Sequence, residues 1–95
     1  MDNFLTSLAL CYKSGNLRVG FDSVKERLKA ALILVTCDIS EKTEKEINFL
    51  ASNKHIEARK IHYSMDDVQA VLNKRIGVLA IEDENFAKLF HKQLG

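Results

Sequence analysis

Ala31-Leu32-Ile33-Leu34-Val35-Thr36-Cys37-Asp38-Ile39-Ser40-Glu41-Lys42-Thr43 is the stretch that decides the fold. It opens as an unbroken apolar run, too short to span a membrane, and turns polar at Thr36. Aliphatic side chains at consecutive positions put apolar groups on both faces of an extended segment. The run therefore predicts a strand buried on two sides. Such a strand sits in the middle of a sheet with helices on both faces. Ser40 followed by Glu41 and Glu44 reads as a helix start. The serine hydroxyl can cap free backbone N–H groups, and the acids suit the positive end of the helix dipole. The polar tip, Thr36 to Ser40, then surfaces at the sheet edge where ligands bind in open α/β folds.

Working outward, the flanks alternate between helical and extended patterns. Upstream, Leu5, Leu8, Ala9 and Tyr12 fall at helical spacing and predict a helix over Phe4 to Ser14. Gly15-Asn16 stops it. Leu17-Arg18-Val19 is a short strand that Gly20 breaks. Phe21 to Ala30 is a second helix, capped by Asp22 or Ser23, with Phe21, Val24 and Leu28 on one face. Downstream, Thr43, Ile47, Leu50 and Ala51 give the third helix its inner face, and Ser52 to His55 is its exit. Ile56 to Tyr63 reads as an edge strand whose Arg59 and Lys60 guard it against stray pairing. Ser64 caps a fourth helix with Val68, Val71 and Leu72 inward, and Asn73 is a left-handed stop. Ile76 to Ile81 is a second central strand. Asp83 caps the last helix, whose inner face is Phe86, Leu89, Phe90 and Leu94. The pattern predicts an α/β fold, a three-layer α-β-α sandwich with a mixed four-stranded sheet, as one domain over residues 1–95.

Composition narrows the function classes. The 95 residues are 46% hydrophobic and 28% charged, which is ordinary for a globular chain, and proline is absent. No apolar segment reaches membrane length and no targeting segment is seen, so a cytoplasmic protein without membrane contact is expected. The net charge of +1 is spread unevenly. Lys13, Arg18, Lys25, Arg27 and Lys29 outnumber Asp22 and Glu26 in one segment, and Lys74-Arg75 is a second basic pair. Cys11 and Cys37 make no metal or redox pattern and read as small, partly buried hydrophobes. His55, His62 and His91 lack metal-ligand spacing. There is no phosphate loop, zinc motif, nucleophile elbow or dinucleotide fingerprint. Asp66-Asp67 and Glu82-Asp83-Glu84 stand at helix starts, where acids cap. The expectation is a chain that is not an enzyme, with no cofactor and no metal. Cys37 has no histidine nearby in sequence to activate it.

Four segments occur in order: Leu8-Ala-Leu-Cys-Tyr-Lys-Ser-Gly-Asn-Leu17, Val19-Gly-Phe-Asp-Ser-Val-Lys25, Thr36-Cys-Asp-Ile-Ser-Glu-Lys-Thr43, and Lys74-Arg-Ile-Gly-Val-Leu-Ala-Ile-Glu-Asp-Glu-Asn-Phe-Ala87. Taken together, from Leu5 to Phe90, the chain resembles the kink-turn RNA-binding ribosomal proteins of the L-seven-Ae type, and most of all their small bacterial YlxQ-like branch. The resemblance implies the same sandwich that the periodicity predicts. It also implies a structured RNA partner in a ribosomal context, and the chain is expected to act as a monomer.

In that family, RNA is held by three neighbouring loops and helix starts. By resemblance the first is Gly20 with Asp22, Ser23 and Glu26, flanked by Lys25. The second is the loop from Asp38 to Glu44, including Ser40, which helps form a pocket for a flipped-out base. The third is Asn73-Lys74-Arg75-Ile76, whose basic character is kept. Asp22 stands where Asn is typical, Ser23 where Glu is, and Glu26 where Lys is. Gln69 and Asn73 replace family glycines, and the turn between Leu28 and Leu32 is shorter than usual. Phosphate contacts supply most non-specific RNA affinity, so carboxylates at this face favour a second reading, a protein-interaction module on the same scaffold.

Overall fold

The computed structural model describes residues 2–26 and 29–95. Leu32–Val35 is β2, and all four of its side chains are buried. It lies between β4 (Val78–Ile81) and β3 (Ala58–Lys60) in a four-stranded sheet of order β1-β4-β2-β3, with Leu17–Val19 as β1. β4 runs antiparallel to both β1 and β2, and β2 is parallel to β3. The sheet is therefore mixed, and the two apolar runs are its two central strands.

Alternation along those strands divides the core. Leu32, Leu34, Leu79 and Ile81 face Phe4, Leu8 and Cys11 of α1 (Asn3–Lys13), Val68 and Leu72 of α4 (Met65–Leu72), and Ala87 and Phe90 of α5 (Glu84–Leu94). Ile33, Val35, Val78 and Ala80 face Val24 of α2 (Phe21–Glu26) and Ile47 and Ala51 of α3 (Glu41–Asn53). This is the three-layer sandwich. Burying each large aliphatic side chain is worth about 1.5–3 kcal/mol relative to exposure, so the twin strands carry much of the driving force.

The helix signals operate as physical chemistry requires. The side-chain oxygen of Asp2, Ser40 and Asp83 accepts a backbone N–H of its helix at 3.0, 3.2 and 2.9 Å respectively. Ser64 and Asp67 form a reciprocal capping box. Asn73 is left-handed at φ 59° and closes α4.

Several expectations are corrected. The inner face of α1 is Phe4, Ser7, Leu8 and Cys11. The aromatic ring of Phe4, stacked on Tyr63 at 4.7 Å, turns the helix so that Ala9 is only half-buried. Asp22 and Ser23 do not cap α2. Gly20, with φ 92°, precedes it, and the Gly20 carbonyl accepts from Val24 N–H at 3.0 Å. Lys29 and Ala30 are not helical, while Arg27 and Leu28, the latter expected on the inner face, lie outside the described residues. The edge strand is three residues, shorter than Ile56 to Tyr63. Cys37 is exposed, because the strand has ended and Thr36 takes the last buried position. Leu89 is 38% exposed, since Ala87 and Phe90 fill the inner face of α5.

Candidate functional site

Strand direction gathers the predicted site. β1 and β2 both end where β4 begins: Val19 is opposite Leu79, and Val35 is opposite Val78. Two backbone bonds extend this register beyond the strands. Gly20 N–H donates to Val78 O at 2.9 Å, and Thr36 N–H donates to Gly77 O at 3.0 Å. The turn into α2, the loop into α3 and the loop out of α4 therefore meet at one end of the sheet. A β-carbon on Gly20 would lie 3.9 Å from Ile76 Cγ2, and one on Gly77 would lie 2.5 Å from Ile39 Cδ1. The close approach needs glycine at position 77, whereas Gly20 is required by its φ of 92° and would have room for a β-carbon. Ile76 is buried beneath them.

The predicted residues divide by what they touch. Gly20 and Ile76 are neighbours. Ser23 is half-buried and its hydroxyl accepts from Arg18 Nη1 at 3.3 Å. Arg18 Nε also pairs with Glu82 at 3.4 Å, which ties β1, α2 and the end of β4 together. Asp22 and Glu26 are exposed on α2, and Lys25 Nζ lies 5.6 Å from the centre of the Phe21 ring. Ser40 caps α3 and donates its own hydroxyl proton to Thr43 Oγ1 at 2.8 Å. Lys74 and Arg75 diverge. Lys74 Nζ stands 5.7 Å over the Tyr12 ring of α1, whereas Arg75 pairs with Asp66 in the first turn of α4.

Electrostatically the end of the sheet is balanced. The bases Lys25, Lys42, Lys60, Lys74 and Arg75 stand among the acids Asp22, Glu26, Asp38, Glu41, Glu44 and Asp66, with Lys60 paired to Glu44 and Arg75 to Asp66. The Asp38 carboxylate accepts from Met65 N–H at 3.0 and 3.3 Å, fastening the β2–α3 loop to the start of α4. Partial desolvation raises its pKa and is the largest single influence. The Thr36 hydroxyl, the Met65 and Asp38 N–H groups and the Arg75 guanidinium together outweigh it, leaving the pKa below the usual carboxylate value. The Thr36 hydroxyl is fully buried, faces that carboxylate, and has no partner at full hydrogen-bonding distance. Ile39 packs inward on Gly77, so this part of the tip is closed rather than hollow. Two cavities, one beside His55 and His91 and one beside Asp2 and Tyr63, lie elsewhere.

Sequence reasoning did not assign positioning roles to Arg18, Tyr12, Asp66 or Gly77. Arg18 alternates out of a short strand, which is a weak signal. Tyr12 reads as a core helix position. Asp66 reads as a dipole acid, and its pairing with Arg75 depends on how α4 folds back. No group of three or more His, Cys, Asp or Glu residues placed to hold a metal ion occurs among the described residues.

Among the solved structures to which the chain is similar, two match across nearly its whole length. One is a protein of unknown function from Bacillus halodurans, at 14% identity and TM-score 0.85, covering 99% of this chain and 98% of that one. The other is a Giardia lamblia 15.5kD RNA binding protein, at 15% identity and TM-score 0.70, covering 96% of this chain and 81% of that one. Both likenesses are of fold. No protein-family profile and no curated protein matches the sequence. No helix among the described residues is long and apolar enough to cross a membrane.

Proposed function

We propose that this chain is a non-catalytic, cytoplasmic RNA-binding protein of the kink-turn-binding, L-seven-Ae type, related to the YlxQ-like branch. It takes a structured, kink-turn-like RNA in a ribosomal setting and acts as a monomer without a cofactor. The observation that carries this reading is the meeting of three segments at one end of the sheet, Gly20 against Ile76 and Ile39 against Gly77. It is supported by a fold shared with an RNA-binding protein from Giardia lamblia. Kinked RNA exposes splayed bases and sheared pairs whose edges side chains can reach. Three adjoining loops suit such a shape better than a continuous helix groove.

The charge balance specifies the mode. With Arg75 paired to Asp66 and acids set among the bases, few cations are free to neutralise phosphate. Recognition then rests on base edges and shape, and the salt dependence is shallow, corresponding to about two to four released counterions. The same balance favours the second reading, in which this face binds protein. An RNA titration followed by amide NMR separates the two. Under the RNA reading, shifts concentrate at residues 20–26, 36–40 and 73–77. Shifts spread over the helices, or none at all, speak for the second reading.

A further inference from the structure

The opposite end of the sheet carries a second site. A cavity of about 370 Å³ is lined by Ala30, Ala31, His55, Ile56, Glu84, Ala87, Lys88 and His91. Its volume falls in the ordinary range for small-molecule sites, roughly 300–1,000 Å³. It lies where β2 and β3 begin, and those parallel strands end at the Gly20–Ile76 side. The two sites are therefore separated by the length of the sheet, and this inference does not rest on the RNA reading.

His55 is the first argument. It follows the α3 C-cap Lys54 in a left-handed conformation, φ 57°. Ile56 N–H donates to Ala51 O at 2.9 Å and His55 N–H to Ser52 O at 3.2 Å, which is the Schellman closure of a helix. Glycine adopts that conformation without steric cost, and a histidine does not. The imidazole is exposed and lines the cavity, where its ring N–H can serve as a donor.

His91 is the second. Arg59 Nη1 lies 3.3 Å from His91 Nδ1. A guanidinium only donates, so Nδ1 accepts and the ring proton sits on Nε2. A Glu57 carboxylate oxygen lies 3.8 Å from Nε2, within ion-pair distance and beyond a hydrogen bond. That N–H is available. Lys88, one turn from Glu84 on the same helix, supplies an exposed ammonium.

We propose that this cavity binds a small organic anion, a carboxylate or phosphate ester with an apolar body. The anionic group lies among His55, Lys88 and His91, and the apolar part lies on Ala30, Ala31, Ile56 and Ala87. Glu84 lines the cavity and the Glu57 carboxylate stands beside His91, and both limit affinity.

Amide NMR of the full chain with benzoate, phenyl phosphate and phenol tests this. Shifts confined to residues 31, 55–56, 88 and 91 with benzoate, phenyl phosphate or both, and absent with phenol, support it; whichever anion responds identifies the headgroup class. Lys88→Met should weaken binding about tenfold, as expected for a lost charge-assisted hydrogen bond, and Glu84→Gln should strengthen it. His55→Gly should raise the urea midpoint while weakening binding. Equal response to phenol, anion shifts scattered over the surface, or unchanged affinity in His55→Gly overturns the proposal.

Discussion

Gly77 and Ile39 are packed so closely that a β-carbon on the glycine would stand 2.5 Å from Ile39 Cδ1. Thr36 Oγ1 and Met65 Cε, at 3.2 and 3.3 Å, close the other sides. Gly77→Ala should therefore push the β2–α3 loop away from the α4–β4 loop. We expect a loss of about 1–3 kcal/mol in urea denaturation and weaker RNA binding. Because Ile39 is the obstacle, Gly77→Ala with Ile39→Ala should recover part of the loss. The coupling is expected at about 0.5–3 kcal/mol in a double-mutant cycle.

The pairing of Arg75 with Asp66 leads to an opposite effect on binding. Asp66→Asn releases the guanidinium toward the RNA face. Affinity should rise a few-fold, and the salt slope should steepen by about 0.7–0.9 for one more phosphate contact. Arg75→Ala should weaken binding and leave the slope unchanged, because the paired guanidinium contributes little to it.

Much of the fold was legible because its signals are local. The runs Leu32–Val35 and Val78–Ile81 announce two-sided burial, Ser40, Ser64 and Asp83 cap through their own side chains, and Asn73 closes α4 through its left-handed backbone. What sequence could not reveal depends on distant partners. Asp38 binds Met65 N–H 27 positions away, and Cys37 is exposed because the strand ends at Val35. The rotation of α1 follows from Phe4 meeting Tyr63 and Phe90, contacts that exist only once the sheet has formed. Which segments meet at this end of the sheet was legible through glycine placement and the alternation of elements. The divergence of Lys74 toward Tyr12 and Arg75 toward Asp66 was not.

Carboxylates on α2 offer a gain-of-function test. Asp22 and Glu26 are exposed beside the Gly20 turn. Asp22→Asn with Glu26→Lys removes two negative charges and adds a positive one. Binding of a kink-turn RNA, measured by gel shift, should tighten about tenfold or more at low salt. No gain would place the RNA on another surface.

Stability should fall on the alkaline side through Cys11. Desolvation pushes its thiol up from 9.0 to about 12, and the Asp83 carboxylate adds to the effect. The unfolded chain releases this proton near 9, whereas the folded chain keeps it until about 12. Between those values the unfolded state binds fewer protons, so stability declines as pH rises. Tyr63 adds to the decline above 10, since its hydrogen bond to Asp2 holds it at about 12. Urea midpoints should be flat around neutral pH and drop from about pH 9 toward about 12. Cys11→Val should flatten the part between 9 and 10 and leave the later fall in place.

The central claim is tested most directly by the affinity of the purified chain for a kink-turn RNA compared with the same RNA carrying Watson–Crick pairs in place of its sheared purine pairs. Both should be titrated at two salt concentrations. Recognition by three adjoining loops predicts at least tenfold preference for the kinked RNA, and the preference should persist as salt rises. Equal affinities that fall together with salt would contradict it.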